Sequence, residues 1–179
     1  MTESCSLTAA LPRVRLALLP TPLEPAQRLS RECGGPPIWI KREDLSGLAL
    51  GGNKARQLEF LMADAQTHGA QAVVTTAAVQ SNFCRSCAAA GAALGMHVGL
   101  LLRGDGTEAV QGNYLLDRLF GAEIRFIDTR DPYDPAVTPA LEQFVADLRA
   151  RGLTTHVLHL PGRTGTLGAA AMVDTGQEM

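Results

Sequence analysis

The chain has 179 residues, 46% of them hydrophobic and 19% charged, which is enough apolar sequence to build a globular core. Its formal net charge is −2 and no basic run stands out, so its electrostatics give no reason to expect nucleic acid or an anionic membrane as a partner. We therefore expect the chain to act on a small molecule.

The sequence predicts a cytoplasmic protein without a membrane segment. Arginines interrupt the apolar residues of positions 1–20, so these do not form the continuous apolar region of a signal peptide. The longest uncharged apolar stretch, residues 88–102, is shorter than the ~20 residues that a spanning helix needs. The 4 cysteines are too few and too unevenly placed for a secreted disulfide framework.

The first part of the chain is marked by prolines. Pro20, Pro22 and Pro25 favour an extended arm, because each proline disfavours helix in the residue before it. The sequence PPIWIKRED, residues 36–44, then predicts a short strand that ends in charged residues.

A unit of helix, glycine and apolar strand recurs from residue 57 onward. Glycine supplies the left-handed conformation that ends a helix, and the runs that follow are apolar enough to be buried on both faces of a parallel sheet. The predicted helices are residues 57–68, 81–94, 107–120 and 139–151, and the predicted strands lie within residues 68–77, 94–103, 120–128 and 151–160. The pattern predicts an α/β fold with right-handed crossovers and helices on both faces of the sheet.

A glycine-rich turn and a small-residue helix end the sequence. Gly162, Gly165 and Gly168 resemble a phosphate cradle, but a dinucleotide-binding loop would follow the first strand of a β-α-β unit and precede an acidic residue. Because an α/β protein rarely closes on a helix with no strand after it, we expect a fragment or an early stop.

Lys54 follows a Gly-Gly-Asn turn and stands at the start of the first long helix. Gly51 and Gly52 permit backbone conformations or close approaches that a side chain would block. A lysine at this helix end meets an unfavourable dipole, which favours the neutral amine that a nucleophile needs. On these local facts, an exposed lysine in a turn remains the alternative.

Gln80, Ser81 and Asn82 stand where a strand ends and a helix begins. Ser81 or Asn82 can cap that helix, and its first free N–H groups could bind a carboxylate or a phosphate. Capping alone would explain Ser81, but it does not require the three residues together.

Cys84 and Cys87 have the C-x-x-C spacing of redox and zinc sites. No second pair exists, and the histidines show no ligand spacing near the cysteines. His156 and His159 lie at odd separation on a predicted strand, so we expect them to face opposite sides. We predict no metal site, and we interpret the cysteines as buried residues of an Ala-rich helix, with a redox pair as the alternative.

With Lys54 and Gln80-Ser81-Asn82 both in view, the chain resembles the D-cysteine desulfhydrase and 1-aminocyclopropane-1-carboxylate deaminase family. These are pyridoxal-phosphate enzymes of the tryptophan synthase β-like fold, fold type II. The resemblance runs from about Arg13 to the end, through PTPLE, IWIKREDLSG, GGNKARQLEF, QSNFCR, GNYLLDRLFGAEI and LGAAAM. It implies a three-layer α-β-α architecture with a parallel sheet, apparently truncated here.

The resemblance also implies a role for each motif residue. Lys54 would be catalytic and would form the Schiff base with the aldehyde of pyridoxal 5'-phosphate, while Asn53 and Asn82 would bind the cofactor, Asn82 through its ring oxygen. Ser81 would be the second catalytic residue, beside the bound amino acid, and the backbone N–H groups from Ser81 to Phe83 would hold the substrate carboxylate. The reaction would be β-elimination of D-cysteine to pyruvate and ammonia, or deamination of 1-aminocyclopropane-1-carboxylate.

The resemblance further implies how the chain divides. Residues 1–55 would begin a large cofactor domain, residues 56–160 would form a small α/β domain, and residues 161–179 would be an incomplete helix returning to the large domain. The full-length protein would be a homodimer.

The chain departs from the family pattern at several positions. Ala77 and Ala78 replace a frequent glycine pair, Gln57 a common lysine, Phe83 a frequent His or Gln, and Met172 a common aromatic residue. Relatives also continue well beyond the point where this sequence ends. The alternative is therefore a catalytically incompetent, truncated domain that acts only as a binding or assembly module. A nucleotide-binding α/β domain would have only the glycine turns to support it.

Overall fold

A four-stranded parallel sheet with helices on both faces organises the protein. The computed structural model describes residues 8–158 and 163–179. In chain order the elements are β1 (Leu23–Pro25), α1 (Gln27–Cys33), β2 (Trp39–Lys41), α2 (Lys54–Thr67), β3 (Ala72–Ala78), α3 (Asn82–Leu94), β4 (His97–Arg103), α4 (Gly112–Leu119), β5 (Glu123–Ile127), α5 (Val137–Ala150), β6 (Thr155–Val157) and α6 (Arg163–Gln177). Two short 3-10 turns, Glu43–Leu45 and Leu48–Leu50, lie between β2 and α2.

The strand order in the sheet is β5-β4-β3-β6, and all neighbours are parallel. β3 pairs with β4 along its whole length, from Ala72 opposite His97 to Ala78 opposite Arg103. Among the described residues, β6 pairs with β3 over three residues and forms one edge of the sheet. Because the strands are parallel, their carboxyl ends meet at the same side of the sheet, which is where ligands bind in open α/β sheets.

Alternate strand residues face opposite layers of helices. Val73, Leu100 and Leu102 pack into one buried cluster with residues of α2, α3 and α6, whereas Val74 and Leu101 pack into a second cluster with α5. Both faces of the sheet are therefore covered, which explains why its strands are nearly continuous apolar runs. The three-layer α-β-α architecture predicted from the sequence is confirmed.

A buried arginine fastens the first turn of α2 to the end of α6. The side chain of Arg56 is 1% exposed, and it donates to Glu43 through Nε at 2.6 Å and to Glu178 through Nη1 and Nη2 at 2.7 Å. α6 packs along α2, so the last predicted segment contacts the α/β unit. The predicted division into residues 1–55, 56–160 and 161–179 stays a prediction.

β1 and β2 form a small antiparallel sheet outside the main one, and α1 connects them. On β2, Trp39 is 55% exposed and Ile40 is 45% exposed. Leu45 and Leu50, which follow in the 3-10 turns, are also exposed. This hairpin therefore presents apolar side chains to solvent.

Several elements differ from the sequence prediction. α4 begins at Gly112 and not at residue 107, because Asp105 Oδ1 accepts hydrogen bonds from the backbone N and the Oγ1 of Thr107 and forms a turn there. α1 was not predicted, since it buries no residue and so carries no apolar pattern. β6 lies within the range 151–160 predicted for the last strand, of which residues 159 and 160 are not described.

Some predictions fall on residues that are not described. His159 and Gly162 lie in the gap between the two described ranges, and Cys5 lies before the first of them. Within residues 8–158 and 163–179, no helix has the length and apolar character needed to span a bilayer.

Candidate functional site

A cavity of about 720 Å³ lies at the carboxyl ends of β3 and β4. Its volume is in the range of small-molecule sites. It is lined by Lys54, Gln57, Thr75, Thr76, Ala77, Ser81, Asn82, Phe83, Arg103, Pro132, Tyr133 and Leu158. The structure thus brings Lys54 together with Ser81, Asn82 and Phe83, four of the five predicted site residues. The fifth, Asn53, is exposed and does not line the cavity, so its role stays a prediction.

Lys54 is the first residue of α2 and is half-buried in the cavity wall. Among the described residues, its amine makes no hydrogen bond or ion pair. The chain has only one other lysine, Lys41, which pairs with Glu178 and donates to the carbonyl of Thr21. A ligand could therefore bind the amine of Lys54 without breaking an existing contact, whereas binding to Lys41 would break two.

The turn before Lys54 has an unusual backbone. Gly51 has φ +74°, and a Cβ atom built on it would lie 1.9 Å from the carbonyl oxygen of Asp44, so only glycine fits. Ala49 and Leu50 also have positive φ angles, of 47° and 71°, which non-glycine residues rarely adopt. Such strained backbone concentrates at functional sites.

Ser81 caps α3, which confirms the capping prediction. Its Oγ accepts hydrogen bonds from the backbone N–H groups of Phe83 at 3.1 Å and Cys84 at 3.2 Å. The N–H of Ser81 donates to the carbonyl of Ala78 at 3.0 Å. Of the three N–H groups predicted to hold a carboxylate, that of Asn82 has no recorded acceptor within the described ranges. The Ser81 hydroxyl keeps its own proton for donation.

The side chain of Asn82 is oriented by its neighbours. Its Oδ1 accepts from Nη1 of Arg85 at 3.1 Å and from Nδ2 of Asn113 at 3.0 Å. Because a guanidinium has only donors, the amide oxygen must face Arg85, and the amide NH2 group remains as a donor for a ligand. A ring oxygen that carries negative charge suits this donor.

Arg85 and Asn113 were missed by the sequence analysis, although they hold the site together. Arg85 is buried to 9% exposure, and its Nη2 donates to the carbonyl of Gly51 at 3.0 Å while its Nη1 donates to Oδ1 of Asn113. Asn113 in turn donates to the carbonyl of Gln80 at 2.8 Å. The only signal in the sequence was an arginine within an otherwise small and apolar helix.

Thr76 and Arg103 were also missed, and each presents a polar atom that lacks a partner. Oγ1 of Thr76 and Nε of Arg103 are buried without a hydrogen bond among the residues described. Such atoms usually contact a ligand or water. Their positions near or at the carboxyl ends of β3 and β4 could have pointed to them.

The charges of the cavity favour an anionic ligand. Lys54 and Arg103 are cations, and among the described residues no carboxylate lines the cavity. Together with the Asn82 donor, the amine without a partner and the two orphaned polar atoms, this donor set fits pyridoxal 5'-phosphate, which is an anionic ring aldehyde.

The two cysteines of the C-x-x-C sequence are structural. Cys84 and Cys87 are fully buried in α3, and burial raises the pKa of Cys84 to about 12 and that of Cys87 still further. Thiols that stay protonated in this way are poor nucleophiles and poor metal ligands. The interpretation of both as buried residues is confirmed.

Comparison with known proteins supports the same assignment. The family described as pyridoxal-phosphate dependent enzyme matches residues 14–179. A Klebsiella pneumoniae D-cysteine desulfhydrase is 41% identical over 173 residues, which are 94% of this chain and 51% of that protein. A Pyrococcus horikoshii protein, provisionally named a 1-aminocyclopropane-1-carboxylate deaminase, is 39% identical over 165 residues, 91% of this chain and 49% of that protein.

A solved structure is similar over the same extent. The crystal structure of an ACC deaminase homologue superimposes with a TM-score of 0.85 at 37% identity and covers 96% of this chain and 51% of that one. The chain therefore spans about half the length of the relatives it matches.

Proposed function

The chain belongs to the family of pyridoxal-phosphate-dependent enzymes, and we propose that it is part of a lyase or deaminase that acts on a small amino acid. In that enzyme it would contribute the part of the active site that contains the cofactor-binding lysine, Lys54. The observation that carries the proposal is the amine of Lys54, which has no partner among the described residues and shares a cavity with the oriented amide of Asn82. Family membership favours this function over the alternative of a module without catalytic activity.

The residues of the cavity would have different roles in cofactor binding and in proton transfer. Pyridoxal phosphate, when bound, supplies an electron sink for charge that develops at the substrate Cα. Lys54 would hold the cofactor at its aldehyde carbon and, once released, would take or give the proton at Cα. Asn82 would donate from Nδ2 to the cofactor ring oxygen. Asn53 would add a further cofactor contact from the turn before the lysine.

The substrate would be held by its carboxylate. The N–H of Asn82 and the hydroxyl of Ser81 would donate to it at the start of α3, where the helix dipole favours an anion. Phe83 would close the cavity beside it and leave room for a small side chain. Ser81, held by its two capping bonds, would stay in place beside the reacting carbon.

We propose β-elimination of D-cysteine to pyruvate, ammonia and sulfide as the first reaction to test, and deamination of 1-aminocyclopropane-1-carboxylate as the second. The sequence GNYLLDRLFGAEI, which contains α4, supports the order because it resembles the desulfhydrase branch more closely. A sulfide assay distinguishes the two reactions, because D-cysteine releases sulfide and 1-aminocyclopropane-1-carboxylate contains no sulfur.

We further propose a cytoplasmic location and a homodimer for the full-length protein. Cys33, Cys84 and Cys87 are free thiols in the structure, in keeping with a reducing compartment. The exposed apolar side chains of the β1–β2 hairpin offer surface for assembly.

Because the chain has only two lysines, one labelling experiment can show which of them binds the cofactor. The chain is mixed with pyridoxal phosphate, reduced with borohydride and digested, and the modified peptide is identified by mass spectrometry. We expect the label on Lys54, its loss in Lys54→Arg, and its retention in the control Lys41→Arg, which keeps the charge beside Glu178. A folded chain that is labelled at Lys41 or at the terminal amine in place of Lys54 would refute the proposal.

A further inference from the structure

A second group of potential ligands lies at the opposite end of α2 from Lys54. Asp64 lies in the last turns of α2, His68 follows its final residue, and His156 lies on β6. One ligand atom from each residue lies within 4.8 Å of one from each of the others. Fourteen residues of helix separate His68 from Lys54, or about 20 Å at ~1.5 Å per residue, so this group is separate from the cavity.

The carboxylate of Asp64 stands between the two imidazoles. Its side chain is 6% exposed, its Oδ2 lies 3.6 Å from Nε2 of His156, and its Oδ1 lies 3.8 Å from Nδ1 of His68. These separations are longer than hydrogen bonds. The separation between Oδ2 of Asp64 and Nε2 of His156 is close to the ~3.3 Å between two ligand atoms that each lie about 2.0–2.1 Å from a tetrahedral ion.

A backbone contact fixes which nitrogen His68 can offer. Its Nδ1 lies 2.7 Å from the carbonyl oxygen of Asp64, and because a carbonyl only accepts, Nδ1 carries the proton. In the neutral ring, Nε2 is then the nitrogen with a free electron pair. A hydrogen bond from one ring nitrogen to a backbone carbonyl is the contact that typically orients a metal-binding histidine.

The two imidazole rings lie close to each other. Their centroids lie 5.5 Å apart with an interplanar angle of 33°. His68 is 56% exposed at its side chain and His156 is 24% exposed, which leaves a path for an ion from solvent to the buried carboxylate.

We propose that Asp64, His68 and His156 bind one divalent transition-metal ion of the Zn²⁺ class. The ligands are one carboxylate oxygen of Asp64 and Nε2 of each imidazole, and water completes a tetrahedron. Two imidazoles select Zn²⁺, Co²⁺ or Ni²⁺ over Mg²⁺, which prefers oxygen ligands. The ion links the end of α2 to β6, a strand of three residues at the sheet edge. Its role is structural.

No metal site was predicted from the sequence, because the sequence alone could not bring these three residues together. Asp64 and His68 are four residues apart at the end of α2, but two ligands alone do not make a zinc site. The third ligand comes from a strand that only the folded chain brings near.

Cobalt titration tests the proposal without pyridoxal phosphate, so the result is independent of the function proposed for Lys54. The chain is dialysed against a chelator and titrated with Co²⁺ by absorbance and with Zn²⁺ by calorimetry. We expect one equivalent to bind with a visible tetrahedral Co²⁺ band, Zn²⁺ to displace it, and Mg²⁺ to leave it unchanged. Zn²⁺ should also raise the melting temperature.

Histidine variants locate the ion. His68→Gln changes an exposed side chain and so should fold, and it should weaken binding about tenfold or more and abolish the rise in melting temperature. His156→Gln should do the same. His97→Gln is the matched control, because His97 pairs with Glu123 on the neighbouring strands β4 and β5. No stoichiometric binding, or binding that persists in both variants or depends on Cys33, would overturn the proposal.

Discussion

The guanidinium of Arg85 donates to the carbonyl oxygen of Gly51 at 3.0 Å and, through its other terminal nitrogen, to the amide oxygen of Asn82 at 3.1 Å. The first contact fixes the turn that leads into Lys54, and the second fixes the amide that faces the cavity. Arg85 thus acts as a positioning residue that joins two motifs far apart in the chain.

Replacing Arg85 with methionine should weaken cofactor binding. Three carbonyl oxygens, those of Gly51 and of the Asn82 and Asn113 side chains, would lose a donor, and Asn82 would be free to turn its amide. We expect affinity for pyridoxal phosphate, measured by absorbance titration, to fall about tenfold, and the free energy of unfolding to fall by about 1–3 kcal/mol.

The control for this variant is Arg118→Met, at an exposed position near the end of α4. This variant should change neither the free energy of cofactor binding nor the free energy of unfolding by more than about 0.5 kcal/mol. If Arg85→Met loses stability but binds the cofactor as the unmodified chain does, Arg85 has no positioning role.

Alanine at Gly51 should be far more damaging than alanine at Gly95. Both glycines have positive φ, of 74° and 67°, so both variants carry the strain of a left-handed alanine, about 1–2 kcal/mol. A Cβ at Gly95 meets nothing within 4 Å, whereas at Gly51 it meets the Asp44 carbonyl at 1.9 Å. We expect Gly51→Ala to cost about 3 kcal/mol or more in urea unfolding and to reduce labelling of Lys54. Equal losses of unfolding free energy in Gly51→Ala and Gly95→Ala would show that the turn before Lys54 can shift to accept a side chain.

Asp117 should make stability depend on pH. It is fully buried on α4, neither carboxylate oxygen has a partner among the described residues, and burial raises its pKa from 3.8 to about 7 against the opposing charge of Arg85. The folded chain therefore holds this proton more tightly than the unfolded chain. The contribution of Asp117 is fully present below about pH 4 and is lost as the pH rises to about 7.

The variant Asp117→Asn isolates that contribution, because it removes the titration and keeps the shape. The free energy of unfolding of the variant minus that of the unmodified chain should increase between about pH 4 and pH 7, by at most about 4 kcal/mol, and stay level above that range. Urea unfolding at several pH values measures it. Parallel pH profiles for the two chains would contradict the raised pKa.

Removal of Arg56 should destabilise the fold much more than removal of Arg42. Arg56→Met leaves Glu43 and Glu178 without their shared cation at a buried site, and we expect a loss of about 3–5 kcal/mol. Arg42 lies at the surface beside Glu24 and Asp44, where water screens the ion pairs, so Arg42→Met should change the free energy of unfolding far less than Arg56→Met. Chemical denaturation of both variants provides the comparison, and similar losses would mean that the network around Arg56 contributes little.

The sequence predicted the elements and residues whose signal is local. β3, β4 and β5 are apolar runs after a glycine, and Lys54 and Ser81 stand at helix starts that the turn residues mark. Arg85 could not be predicted in this way, because an arginine in a helix usually points to solvent and only the fold shows it beside Gly51 and Asn82. Asp64 and His156 likewise meet only once α2 packs beside the sheet.

The exposed side of the β1–β2 hairpin also gives the protein a built-in optical signal. Trp39 is the sole tryptophan of the chain and stands there with half of its surface in water. Its fluorescence therefore reports on this surface without an added dye. A second copy that covers the hairpin will shift the emission to shorter wavelength as the protein concentration rises, whereas emission at a constant long wavelength identifies a hairpin that stays in water.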